Sequence, residues 1–366
     1  MTGRFGKGPD YVFLGVLMIL LIFGLVMLAS ASGDLAKAQF GDSYYYLRHQ
    51  ILTGLLLGLV GFLVGYIVNY RHWEKLAIWF LAASILILLL VFTPLGVKLY
   101  GSERWLDFNG ISFQPGELVK LTFLIYLASW LSRKSQRSKS WSEGFLPFLF
   151  VFGLVAVLLI LQPSTSTAVI LGAASFVTYF TAGGRIKFLA AGGILFLIAL
   201  ILLIAVTPYR LQRVLSFLNP QTNQLGASYH INQALIAIGS GGLTGVGYGQ
   251  STTKLHYLPE PLSDSIFAVI GEELGFLGAL FVILIFLAFI WRGLKIAKRA
   301  PDDFGRFMAA GFTALIGVQA FVNIGAISGL IPLTGVPLPF VSYGGTALAV
   351  FLTMGGIILN ISRQRR

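Results

Sequence analysis

The chain contains no cysteine, and only 11% of its 366 residues are charged. The first absence removes disulfides, thiolate catalysis and cysteine-ligated metal, and leaves the compartment open. The second excludes more. A soluble domain carries about 25% charged residues, so this chain lacks the polar surface to cover a soluble globule, and it is too apolar to be disordered. Acidic residues are scarce, 14 against 26 basic ones, so few carboxylates are available for chemistry. The four histidines, His49, His72, His230 and His256, stand at no metal-ligand spacing, which argues against a zinc site.

What is present is apolar length. Hydrophobic residues make up 56% of the chain, and mean hydropathy is +0.83. A bilayer core needs roughly 20 apolar residues per helix. Uncharged runs predict spans at 11–31, 48–68, 75–96 and 115–131. The run from 144 to 184, broken at QPSTST (162–167), predicts two helices and a turn. A seventh span is expected at 188–209 and an eighth at 264–291, the latter carrying Glu272 and Glu273. The uncharged run 307–362 is divided by Pro332, Pro337 and Pro339 into two more. The expected fold is therefore all-α, a single membrane-embedded domain over 1–366 with ten transmembrane helices.

An even count puts both termini on one side. With the N-terminus cytoplasmic, 18 basic residues fall in inner segments and seven in outer ones, with Lys120 inside a helix. The positive-inside rule supports that orientation. It also explains the net charge of +12 as topological, so nucleic acid is not an expected partner. The first apolar stretch exceeds the roughly 7–15 residues of a signal-peptide core and is expected to stay as an anchor. Two outer connections are long, 97–114 and above all 207–263. Within the second, 208–220 has interfacial-helix character and 227–243 reads as a short helix ending in glycines. The glycine-rich GSGGLTGVGYG (239–249) lacks the strand–helix context of a nucleotide-binding loop.

Charges inside membrane helices are costly and point to function. Glu117 and Lys120 stand three apart on one helix face. They form either a structural ion pair or a polar cavity wall in which Lys120 meets an anion. Asp264 stands above Ala268, Gly271, Gly275 and Gly278, a stripe that serves close helix packing or accepts a lipid tail. Glu272 and Glu273 point to different faces and are expected to have different partners. Arg104, Arg213 and Lys254 lie in outer loops near these helices, which sets a carboxylate beside several anion-binding groups.

Five segments together resemble the SEDS family of cell-wall polymerases, in its division-type branch. They are SAS…GDSYYYLRHQ (30–50), GSERWL…FQPGELVK (101–120), RVLSFLNP (213–220), INQALIAIGSGGLTGVGYGQSTTKLHYLPEPLSDSIFAVIGEELGFLG (231–278) and GLIPLTGVPLPFVSYGGTALAVFLTMGGIILNISR (329–363). The resemblance implies a glycosyltransferase that polymerises lipid II, the undecaprenyl-linked peptidoglycan precursor, and releases undecaprenyl pyrophosphate during septal wall synthesis. The family's key aspartate falls on Asp264 in PEPLSDSIF (259–267). Where the family has histidine and phenylalanine, this chain has Leu262 and Ser265; Ser164 and Gly116 are two further departures.

The resemblance implies Asp264 as general base and Arg104, Glu117, Lys120, Arg213, Lys254 and Glu272 as substrate contacts, with the small-residue stripe housing the lipid. No cofactor is assigned. A divalent cation, Mg or Mn, is compatible with the pyrophosphate charge but has no dedicated ligand set. The implied partners are a class B penicillin-binding protein, docked on the last two helices, and other division membrane proteins. The implied location is the inner membrane at the septum. A lipid II flippase, a non-catalytic division scaffold and an elongation-type polymerase are the alternatives.

Overall fold

The computed structural model describes residues 8–99, 102–108, 111–134, 136–218 and 226–364. Among the described residues, eight helices are long and apolar enough to cross a membrane. They are Tyr11–Phe40, Tyr45–Ile67, Arg71–Leu90, Trp141–Leu161, Ile186–Ala205, Ile266–Lys298, Asp303–Ile327 and Gly345–Arg363. Two others occupy expected spans: Pro115–Ser132 with 18 residues, and Thr165–Thr181 with 17. Helix ends follow local chemistry. The Asp10 carboxylate accepts from Phe13 N at the start of the first helix, and Gly41 ends it in the left-handed conformation. Asp302 caps the Asp303–Ile327 helix in the same way.

The fold is not purely helical. The connection expected at 97–114 forms a three-stranded antiparallel sheet: β1 Gly96–Leu99, β2 Ser102–Phe108 and β3 Ile111–Phe113, in the order β1-β2-β3. Leu106 pairs with Gly96 on one side and Phe113 on the other, and its side chain is buried. The aromatic residues Trp105 and Phe108, which favour strands, were the sequence signal for this sheet. The long connection before Ile266 holds the two expected helices, at Pro208–Leu218 and Ala227–Ser240, and a short third at Thr253–His256.

The centre of the bundle is made by Asp303–Ile327 and Gly345–Arg363, whose apolar windows are each 78% buried. The first packs against Thr165–Thr181, Pro115–Ser132 and Ile266–Lys298; the second packs against the 56–67 part of its neighbour. The last two helices are therefore core, which removes them as a docking face for a partner. Ile186–Ala205 is the opposite case, with 6% of its window buried.

The two ends of the bundle are distinct. At one end Asp10 N donates to Ser362 Oγ, and Arg292 pairs with the Asp10 carboxylate at 2.7 Å. Asp10, at the start of the first described helix, and Ser362, near the end of the last, thus lie at the same end. At the other end Tyr343 N donates to Leu262 O, Arg213 reaches Leu333 O, and Gln114 N donates to Thr346 Oγ1. The sheet and the long connection converge there.

The Ile266–Lys298 helix is broken at Gly275, where φ is 65° and ψ is −162°. The glycine-rich segment plugs the break. Val246 N and Gly247 N donate to Glu272 O and Glu273 O, while Phe276 N and Leu277 N donate to Gly242 O and Leu243 O. Irregular backbone is tolerated within a membrane protein where it is buried and fully paired. A Cβ at Gly241 or Gly245 would collide with the carbonyls of Gly271 or Glu273, so glycine here permits backbone-to-backbone contact. Gly271 faces Ile238, and Gly275 faces Leu243 and Gly245. The small-residue stripe is therefore closed by packing and is not an open groove for a lipid.

Candidate functional site

Asp264 lies two residues ahead of the Ile266–Lys298 helix, in a turn closed by Ser263 N and Ser265 N donating to Glu260 O. It lines a pocket with Arg213, His230, Asn323 and the 333–336 segment. Gly335, at φ 68°, lets its backbone press against this pair: a Cβ there would sit 3.3 Å from Asp264 Oδ2 and 3.8 Å from Arg213 Nη1. The free volume is about 30 Å³, room for a water or two. Bulky substrates enter only if the walls part.

Electrostatics follow from burial. Desolvation, then the Glu260 charge, push the Asp264 carboxyl up to about 6; the Arg104 and Arg213 charges and a Ser263 hydrogen bond pull the other way. A carboxylate with a pKa near 6 suits proton abstraction at neutral pH. His230 is held down at about 4 by burial and by Arg213, so it is neutral. The Ser265 hydroxyl donates to Pro259 O at 2.8 Å, which leaves its oxygen to accept from His230 Nε2 at 2.6 Å. Ser265, a departure from the family pattern, thus anchors a pocket histidine. Arg213 Nη1 also donates to Leu333 O at 3.3 Å, and its guanidinium lies 4.6 Å over the Tyr209 ring.

Of the expected site residues, Asp264 and Arg213 meet in the pocket, and Arg104, on β2, acts on the same carboxylate through its charge. The others are committed elsewhere. Lys120 Nζ lies 2.7 Å from Glu117 Oε2 and donates to Gln319 Oε1 at 2.7 Å, with both charged side chains buried. Gln319 Nε2 in turn donates to Pro337 O at 2.9 Å, so this pair supports the pocket wall from behind. Lys254 does not face the pocket: its Nζ is 2.8 Å from Glu273 Oε1 and 3.0 Å from Ser30 O. Glu272 is likewise turned away, accepting from Ser251, Thr252 and Thr253. A buried charge must be paired, and these partners came from a loop and a helix remote in sequence. The two glutamates do have different partners, as their helix faces indicated.

Sequence reasoning missed His230, Asn323 and Gly335. Asn323 and Gln319, carboxamides one turn apart within a long uncharged run, were the available signal. Among the described residues no group of three His, Cys, Asp or Glu could hold a metal. With two arginine charges acting on the carboxylate, the donor set does not fit a resident cation.

A bundle of apolar helices with a desolvated carboxylate beside arginine charges at its looped end is a polytopic membrane protein. The chain belongs to the cell cycle protein family that groups FtsW, RodA and SpoVE, matching it over residues 10–366. It is 38% identical over 360 residues to stage V sporulation protein E of Bacillus subtilis, covering 98% of each chain. It is 37% identical over 358 residues to the probable peptidoglycan glycosyltransferase FtsW of Geobacter metallireducens, covering 98% of this chain and 95% of the relative. Among solved structures it resembles a chain of a peptidoglycan synthase complex that coordinates polymerization and crosslinking, at 27% identity and TM-score 0.81, over 98% of this chain and 99% of the other. It also resembles the rod shape determining protein RodA of Thermus thermophilus, at 28% identity and TM-score 0.70, over 98% and 97%.

Proposed function

We propose that the protein is a peptidoglycan glycosyltransferase that joins lipid-linked disaccharides into glycan strands at the outer face of the bacterial inner membrane. The observation that carries this reading is the Asp264 carboxylate, desolvated, with a pKa near 6 and arginine charges beside it. In the reaction a sugar hydroxyl attacks the anomeric carbon of a second sugar and loses its proton to Asp264. The anomeric carbon–oxygen bond to the lipid pyrophosphate breaks, and its electron pair departs with the pyrophosphate, whose negative charge rises. Arg213 and Arg104 offset that charge as it develops. Lys120 and Glu117 act through Gln319 and the 337 carbonyl on the shape of the pocket. Sugars are admitted when the 333–336 segment and the Arg213 helix part.

Pro115–Ser132 and Thr165–Thr181 complete ten crossings in this reading, with both termini cytoplasmic by the distribution of basic residues. The division-type motifs GDSYYYL and GQSTTK and the terminal NISR favour septal synthesis over elongation. Because glycan strands still need peptide crosslinks, the partner is a class B penicillin-binding transpeptidase. It docks on helices other than the buried last two, alongside other division membrane proteins.

The test is an assay of purified protein with lipid II alone and then with the transpeptidase. Polymer is the expected product. Translocation of lipid without polymer would identify a flippase, and neither activity would leave a scaffold.

A further inference from the structure

We infer that Asn323 is a substrate contact: its Oδ1 accepts a hydrogen bond from a neutral N–H or O–H of the incoming sugar, other than the hydroxyl that attacks. The inference deepens the glycosyltransferase reading and rests on it.

Asn323 projects from the Asp303–Ile327 helix and is 2% exposed. Its Nδ2 donates to Asp264 O and to Val336 O, each at 2.8 Å. Both amide protons are thereby used. The orientation is fixed as well, since a flipped amide would set its oxygen against two carbonyl oxygens. Oδ1 then has its lone pairs free, and it has no hydrogen-bond partner among the described residues. Of the buried side-chain polar atoms without a partner among those residues, it is the one whose residue lines the Asp264 pocket.

A buried acceptor without a donor is costly, so its persistence at a candidate site implies an occupant that brings one. The rest of the pocket narrows what that occupant is. Arg213 opposes a cation, which argues against an ammonium group or a metal ion. The Asp264 carboxylate opposes an anion. A neutral donor satisfies both. The attacking hydroxyl has one proton, which goes to Asp264, so Oδ1 takes a different group: the acetamido N–H or a neighbouring hydroxyl of an amino sugar. Gln319, four residues earlier, is the contrast. Both ends of its amide are occupied, by Lys120 Nζ and Pro337 O, and it serves as an anchor alone.

The experiment compares kcat/KM for lipid II with that for two analogues, one with the acetamido N–H replaced by an ester oxygen, the other with a hydroxyl beside the attacking one replaced by hydrogen. The full-length protein is used with its transpeptidase, as wild type, Asn323→Ala and Gln319→Ala. Wild type is expected to reject one analogue by about tenfold or more, the cost of an unpaired buried acceptor. In Asn323→Ala that ratio should fall to about one, while Gln319→Ala slows both substrates and keeps the ratio. If Asn323→Ala does not fold, Asn323→Leu, close in shape to asparagine and without an acceptor, gives the same reading. A wild-type ratio retained in the Asn323 variant, or a change only in its dependence on added Mg or Mn, overturns the inference and leaves the glycosyltransferase intact. A wild-type protein that polymerises nothing overturns both.

Discussion

Asp264 is held in an unfavourable setting for an ionised carboxyl, and that setting has two measurable consequences. Its pKa is raised from 3.8 to about 6 by desolvation and by Glu260. A folded-state pKa above the unfolded one means that the native protein binds the proton more tightly. This contribution to stability is fully present below pH 3.8 and is lost as pH rises through about 6. Asp264→Asn mimics the protonated group, so it should stabilise the fold at pH 7 by on the order of 1–3 kcal/mol while lowering polymerisation about 10²–10⁴-fold. Thermal unfolding and polymer assays on the same preparation check both. A stable variant with more than about a tenth of wild-type activity would exclude the base assignment. The pH–rate profile of the wild type should fall as pH drops through about 6. Arg213→Gln should move that midpoint upward, because Arg213 favours the ionised form.

Among the elements, the broken Ile266–Lys298 helix and its glycine plug determine where Asp264 stands. Gly275 occupies backbone space that side chains avoid, and a Cβ there would lie 2.6 Å from Leu243 O. Gly275→Ala is expected to cost more than about 3 kcal/mol, read as a lowered unfolding temperature, with activity falling only in step with the folded fraction. Lys254 and Glu273 fasten the plug to the first helix. Lys254→Met strands a buried carboxylate and should cost about 3–5 kcal/mol. The double variant Lys254→Met with Glu273→Gln should recover most of that loss. If Lys254→Met instead left stability unchanged and abolished polymerisation, Lys254 would be a substrate contact after all.

For the whole molecule, the bundle presents Asp10 and Ser362 at one end and its sheet, the Pro208–Leu218 helix and the pocket at the other. A tag after Arg366 should therefore be cytoplasmic and a tag within 221–226 should be outside, read by protease or thiol-labelling access. Finding both on one side would refute the ten-crossing arrangement. Since the last two helices are core, substitutions on them should act on folding, whereas exposed faces such as that of Ile186–Ala205, 6% buried in its apolar window, remain open to lipid or a transpeptidase. Co-purification of the transpeptidase with a variant carrying polar residues on one exposed helix at a time locates its face.

The sequence by itself determined membrane class and the positions of the long apolar helices, because burial in lipid imposes long uncharged runs. It also singled out Asp264 and Arg213. Tertiary structure decided which charges face the pocket and which are paired. Lys254 and Glu272 look the same in sequence as Arg213 and Asp264, but Ser30, Glu273 and the 251–253 turn claim them. It decided that a stripe of glycines is filled by a loop, that Gly96–Leu99, Ser102–Phe108 and Ile111–Phe113 pair as a sheet, and that Asn323, a residue lining the pocket, keeps an unpaired oxygen. A hydrogen bond is satisfied by whatever group the fold brings within 3 Å or so, and no local pattern records which group that will be.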